Sequence, residues 1–250
     1  MSRLTAGALA AFATAAVALA PAPAAGRAAA SCPLPVFGPG AQYHPTIDPA
    51  RFTANVDNPL FPLTPGKINV YSGVKDGKPA LNLFAPTSRT KVVAGVMTRV
   101  VEDRLYLDGH LAERTSDYYA QDACGNVWYF GEDTATLDRR GRVISTDGTF
   151  HAGVDGAQPG VFMEAHPELQ RKFRQEWYQG HAEDVFWATN LSTRVKVPFG
   201  TFRNALQTAE TTALEPGVLD QKHYVPGIGE VDEVALTGPR EALRLVEVIS

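Results

Sequence analysis

The stretch Tyr119-Ala-Gln-Asp-Ala-Cys-Gly-Asn-Val-Trp-Tyr-Phe-Gly-Glu-Asp133 decides the fold. It reads as a hairpin: a strand, a turn over 122–126, then an aromatic strand. Gly125-Asn126 supplies the positive φ that a tight turn needs. Side chains alternate faces along a strand, so Trp128 and Phe130 share one face and Tyr129 takes the other. Such rings ordinarily fill a core rather than form a ligand platform.

The same grammar repeats on both sides. Asp76-Gly77, Asp108-Gly109, Arg140-Gly141, Asp147-Gly148 and Asp155-Gly156 punctuate short runs. Strands are expected over 68–74, 80–93, 97–107, 111–121, 127–132, 143–146, 173–179, 185–197, 204–212, 223–224, 229–236 and 244–249. Val, Ile, Thr and aromatic residues dominate many of them. Only 167–174 has helical character. Consecutive hairpins predict an all-β, mainly antiparallel meander, closed into a barrel or half-barrel that protects its edges. The strands share no repeated motif, which excludes a propeller or solenoid. Residues 32–66 are rich in proline, which denies ladder donors and fixes φ. They predict an ordered lead-in that wraps the sheet of a single domain over 67–250.

The chain begins with one charge, Arg3, then an apolar run from Ala8 to Leu19, then small residues around Pro21 and Pro23. This describes a secretory signal peptide over 1–31. The run is too short and alanine-rich for a membrane span, and no later segment reaches spanning length. Residues 1–31 hold two of the 23 basic side chains and none of the 27 acidic ones, so the remaining chain carries −6. That charge argues against nucleic acid as a partner. Two cysteines, Cys32 and Cys124, most simply make one disulfide in an oxidising compartment. The alternative is a lipoprotein, with Ala29 to Cys32 as the cleavage box and Cys32 lipidated. Either way the protein is expected outside the cell or in its envelope.

Several strands lack a clean apolar face. In 111–121 one face reads Leu111, Glu113, Thr115, Asp117, Tyr119, Gln121. In 204–212 one face carries Leu206, Thr208 and Glu210, and 173–179 carries Glu176. One explanation is a sheet face open to solvent. The other is a wet cleft lined by Glu113, Asp117, Glu176 and Glu210, with His181, Glu183 and Asp184 at its rim. Mutual repulsion in such a cleft would raise carboxyl pKa values, the way general acids are made. Gly180-His-Ala-Glu-Asp184 could hold a divalent metal or orient an imidazole as a base, but it matches no established metal spacing and reads first as a polar turn between two strands. The six histidines are scattered, so no metal site is expected. No Gly-x-Ser-x-Gly, P-loop or dinucleotide fingerprint is present, and nothing names a cofactor.

Asn58-Pro-Leu-Phe-Pro-Leu63, the 119–133 stretch, Gly153-Val-Asp-Gly-Ala-Gln-Pro-Gly160, Val197-Pro-Phe-Gly-Thr-Phe202 and Tyr224-Val-Pro-Gly-Ile-Gly-Glu-Val231 resemble a family of secreted bacterial proteins of unknown function. The last two motifs are also similar to those of periplasmic half-barrel and lipid-carrier-like β proteins. The resemblance implies export and a β-rich fold, and it transfers no catalytic residue. Three functions stay open. The chain could bind a small molecule, apolar ones included. It could be a hydrolase or isomerase using the acids with a histidine. It could be a structural envelope protein. The oligomeric state is not readable.

Overall fold

The computed structural model describes residues 32–250, so the expected signal peptide lies outside the described residues. Every strand pair is antiparallel, a single parallel bridge between Leu169 and Ala188 aside, with two single-turn 3-10 segments in the lead-in. In chain order the strands are β1 (Phe52–Thr53), β2 (Ile68–Lys75), β3 (Lys78–Val93), β4 (Val96–Leu107), β5 (His110–Asp122), β6 (Val127–Leu137), β7 (Val143–Ser145) and β8 (Phe150–His151). There follow β9 (Gln158–Met163), β10 (Lys172–Arg174), β11 (Glu176–Trp177), β12 (Asp184–Val197), β13 (Gly200–Thr212), β14 (Leu219–Val225), β15 (Gly229–Thr237) and β16 (Ala242–Ile249).

The hairpin turns work as their sequences demand. Asp76-Gly77 and Asp108-Gly109 take φ of 52° and 72°, and 50° and 78°, so both central residues are left-handed and match the strand twist. The sheet runs β10-β12-β13-β14-β15-β16-β2-β3-β4-β5-β6-β9-β11. The last strand, β16, therefore zips onto the first long one, β2, with Leu245 opposite Tyr71.

The two ends of that order are consecutive in the chain. β10 pairs with β12 and β11 pairs with β9, and only Gln175 lies between them. One segment thus serves both edges and nearly closes the barrel. Gln175 is buried there, its backbone N–H donating to Asp184 O at 2.9 Å. This corrects the helical expectation for 167–174. Leu169 bridges to Ala188 and Lys172–Arg174 is strand β10, because ladder pairing to β12 outweighs a short helical pattern. β9 is not among the strands expected from sequence, and its first half holds Pro159 and Gly160, residues that strands disfavour.

The lead-in does wrap the barrel. Phe52 packs edge-on against Trp128 and Phe130, at 5.9 and 5.3 Å, and Leu34 and Ile47 join that outer cluster. Cys32 and Cys124 form a disulfide that ties the lead-in to the β5–β6 turn. Arg174 donates to Gly38 O at 3.0 Å, and a Cβ on Gly40 would strike the Trp177 ring, so the lead-in also covers the seam. The lead-in then turns inward, where Val56, Phe61 and Leu63 join the inner core cluster. Gln121 fixes that turn by accepting from the N–H groups of Asp57 and Asn58 at 3.0 and 2.8 Å. No helix among the described residues is long and apolar enough to cross a membrane.

Candidate functional site

The candidate site is the barrel interior. β5 shows why it is polar: Glu113, Thr115, Asp117 and Tyr119 share the face that alternation assigns inward. Lys75 and Asn69 come from β2, Asn82 and Phe84 from β3, and Asp103 and Leu105 from β4. They line a cavity of about 270 Å³. Its floor is aromatic: Phe61 of the lead-in stands 4.5 Å from Phe162 and 5.2 Å from Tyr119, ring centre to ring centre. A second compartment of about 240 Å³ shares Tyr119, Glu132, Phe162 and Lys222 with the first. It is lined further by Glu176, His181, Asp184 and Glu210.

Two β-bulges put extra acids inside. In β6 the register slips between Tyr119↔Tyr129 and Tyr118↔Gly131, leaving Phe130 unpaired. Tyr129 and Glu132 therefore share the inner face although three positions separate them. Gly131 has φ 147°, and a Cβ there would lie 2.3 Å from Phe150 O, so the bulge needs glycine. In β15 a second slip sets Glu230 opposite Tyr224 and Glu233 opposite Lys222, so both acids line the larger compartment.

The Tyr129 hydroxyl lies 2.7 Å from Asp117 Oδ1 and 2.8 Å from Glu132 Oε2. A phenol has one proton, so it can donate to only one of these carboxyls. The other must itself carry a proton and donate to the phenol oxygen. Burial, then Glu132, pushes Asp117 up, and burial, with Glu113 and against the Tyr129 hydrogen bond, pushes Glu132 to about 8. Asp103 is pushed to about 8 by burial and by Asp117, although Asn82 Nδ2 donates to it at 3.2 Å. Burial, then Glu210, raises Asp184 to about 6, and burial, then Asp184, raises Glu176 strongly. Burial, set against Lys75, leaves Glu113 raised.

Two of the three lysines that line the larger compartment are already taken by acids. Lys222 Nζ lies 2.5 Å from Glu210 and 3.3 Å from Glu233, and Lys75 Nζ lies 2.9 Å from Glu241. Gln175 Nε2 also donates to Glu210 at 2.6 Å.

Of the residues expected from sequence, Glu113 and Asp117 line the larger compartment. Glu176, Asp184, Glu210 and the rim residue His181 line the smaller one, with the His181 ring stacked on Tyr178 at 4.4 Å. Glu183 lines neither, and accepts from the Gly180 N–H at 2.7 Å to close the turn before β12. His151 pairs with the exposed Asp133 at 2.9 Å, outside the barrel. Sequence reasoning missed Asp103, Glu132, Glu230, Glu233 and the two lysines. Parity along β4 could have found Asp103, two positions from the inward Leu105. Among the described residues, the one set of three metal-capable groups within 4.8 Å is Cys32, Asp122 and Cys124, and its cysteines are spent in the disulfide. The inner acids are spread along the walls instead.

No protein-family model and no curated protein matches the chain. Among solved structures, a candidate exported protein with a YmcC-like fold from Bacteroides fragilis aligns with a TM-score of 0.44 and 12% identity, covering 76% of this chain and 99% of that one. A candidate lipoprotein from Parabacteroides distasonis aligns with a TM-score of 0.40 and 10% identity, over 76% of this chain and 97% of that one. Both are too distant to bear on the site.

Proposed function

We propose that this chain is an exported protein that holds a small molecule inside its barrel, outside the cell or in its envelope. The carrying observation is the barrel interior: two adjoining, half-open compartments, aromatic at the floor and lined by carboxyls, amides and lysines. The larger falls near the low end of ligand pockets, roughly 300–1,000 Å³. The leader-like residues 1–31, the single domain after the lead-in, and the disulfide fit a protein that works outside the cytosol.

A second reading, acid–base catalysis, draws on the proton shared among Asp117, Tyr129 and Glu132. Binding is favoured because His151 pairs outside the barrel and His181 stands at the rim. The test is native mass spectrometry of the protein secreted by its own host. The expected result is the mature, oxidised chain with a non-covalent adduct. That adduct should vanish in Asn82→Trp, whose indole fills the larger compartment while the disulfide and β spectrum persist. An adduct equally abundant in Asn82→Trp, or a wild-type chain with none, would contradict the proposal.

A further inference from the structure

Resting on that reading, we infer that the molecule held in the barrel is an organic cation, an amine with more than one positive centre.

Acids outnumber lysines on the walls of both compartments. Asp103, Glu113, Asp117, Glu132, Glu176 and Asp184 face the two compartments, and among the described residues none is within ion-pair distance of a cationic side chain. Of the three lysines on these walls, Lys222 is engaged by Glu210 and Glu233 and Lys75 by Glu241, while Lys67 reaches the Gly227 carbonyl oxygen at 3.5 Å.

Unpartnered polar atoms, a hydroxyl and an amide oxygen, give an independent observation. Thr208 is 1% exposed and its hydroxyl has no partner. It pairs across the ladder with Lys222, which faces the interior, so Thr208 faces inward too. The Oδ1 of Asn82, on the wall of the larger compartment, is likewise without a donor. A carboxyl that gives up its proton to make room for a cation only accepts hydrogen bonds, as an amide oxygen does, whereas an ammonium only donates them, with three N–H groups per centre. The lining and the proposed ligand are thus complementary in charge and in hydrogen-bond sense. The Phe61, Phe162 and Tyr119 rings add π faces on which a cation is favoured.

The spacing points away from a metal ion. Inside the barrel no three carboxyl or imidazole ligand atoms of the described residues come within 4.8 Å of one another. A bare divalent ion needs such convergence, with oxygens at about 2.0–2.6 Å. An extended amine does not, and the two adjoining compartments offer one acidic wall per positive centre.

The probe is putrescine, titrated calorimetrically into the mature oxidised protein. 1,4-Butanediol, of the same length without charge, and magnesium chloride are the comparisons. Saturable putrescine binding is expected, with butanediol at least tenfold weaker and magnesium unable to displace the diamine. Asp117→Asn and Glu132→Gln should each weaken putrescine tenfold or more, while Asp133→Asn, on the outer face, leaves it unchanged. Thermal unfolding of each variant shows that it is folded. Equal binding of butanediol, displacement by magnesium, or no putrescine binding to a folded wild-type chain would overturn the cation assignment. A neutral or anionic adduct from the host, lost in Asn82→Trp, would overturn it too, yet would leave the binding proposal standing.

Discussion

Tyr129 carries most of the chemistry that a single residue can carry here. Its hydroxyl touches Asp117 and Glu132 at once, so at least one of those carboxyls keeps a proton of its own. Tyr129→Phe leaves two buried carboxyls facing each other without that donor. It should cost about 1–3 kcal/mol, the range for losing a buried hydrogen bond to an ionisable group, read as a lower urea midpoint at unchanged slope. No change in midpoint would mean that the hydroxyl is dispensable. Glu132→Gln should do the opposite at high pH. It removes a carboxyl that burial pushes to about 8, so the melting temperature at pH 9 should rise above wild type while that at pH 5 stays level. The sequence showed one half of this trio. Two-residue alternation put Asp117 on the same face as Glu113 and Tyr119, where the structure has it. Glu132 was not readable, because counting from Tyr129 places it with Phe130 on the opposite face. The bulge at Gly131 reverses that parity, and a bulge leaves no trace in a simple alternation.

At the scale of elements, the hairpins were legible and the seam was not. Asp76-Gly77 and Asp108-Gly109 announce their turns because their left-handed φ values suit few residue types. The seam depends on contacts between segments that no local pattern joins. β9, β10 with β11, and β12 meet around Gln175, and the approach is close enough that a Cβ on Gly160 would lie 2.3 Å from the carbonyl oxygens of Arg174 and Gln175. Gly160→Ala therefore forces the backbones of β9 and the closing segment apart. It should cost at least about 1–3 kcal/mol, the usual penalty for overpacking, and amide exchange should speed up in 172–177 before it does in the β3–β5 hairpins. An alanine variant with wild-type stability and exchange would mean that the seam tolerates a gap. The pattern over 167–174 misled for the same reason. Its residues carry helical character locally, and the partner that makes them strand, β12, lies further along the chain.

Across the whole molecule, the lead-in, the disulfide and the nearly closed ladder enclose a set of acids that water would otherwise ionise. The disulfide was inferable from cysteine parity, and the barrel from the run of hairpins. The depth at which the acids sit was not, because a polar strand face looks the same whether it meets solvent or a cavity. The distinction has a measurable consequence. Asp103 and Glu132 are raised to about 8 and Asp184 to about 6, so the folded protein holds protons that the unfolded chain has lost. Where the native state binds more protons than the unfolded one, stability falls as pH rises. The fall begins near the unfolded carboxyl pKa, about 4, and runs through the folded values. Asp133 and Glu233, held low in the fold, act in the reverse sense, but their contribution is already complete above that range. The most direct measurement is the melting temperature of the mature, oxidised chain from pH 5 to pH 9, without added ligand. A decline is expected, and a loss of even ~2 kcal/mol would lower Tm by about 4–8 °C in a chain of this size. A melting temperature that stays level or rises across that interval would contradict a barrel whose buried carboxyls keep their protons.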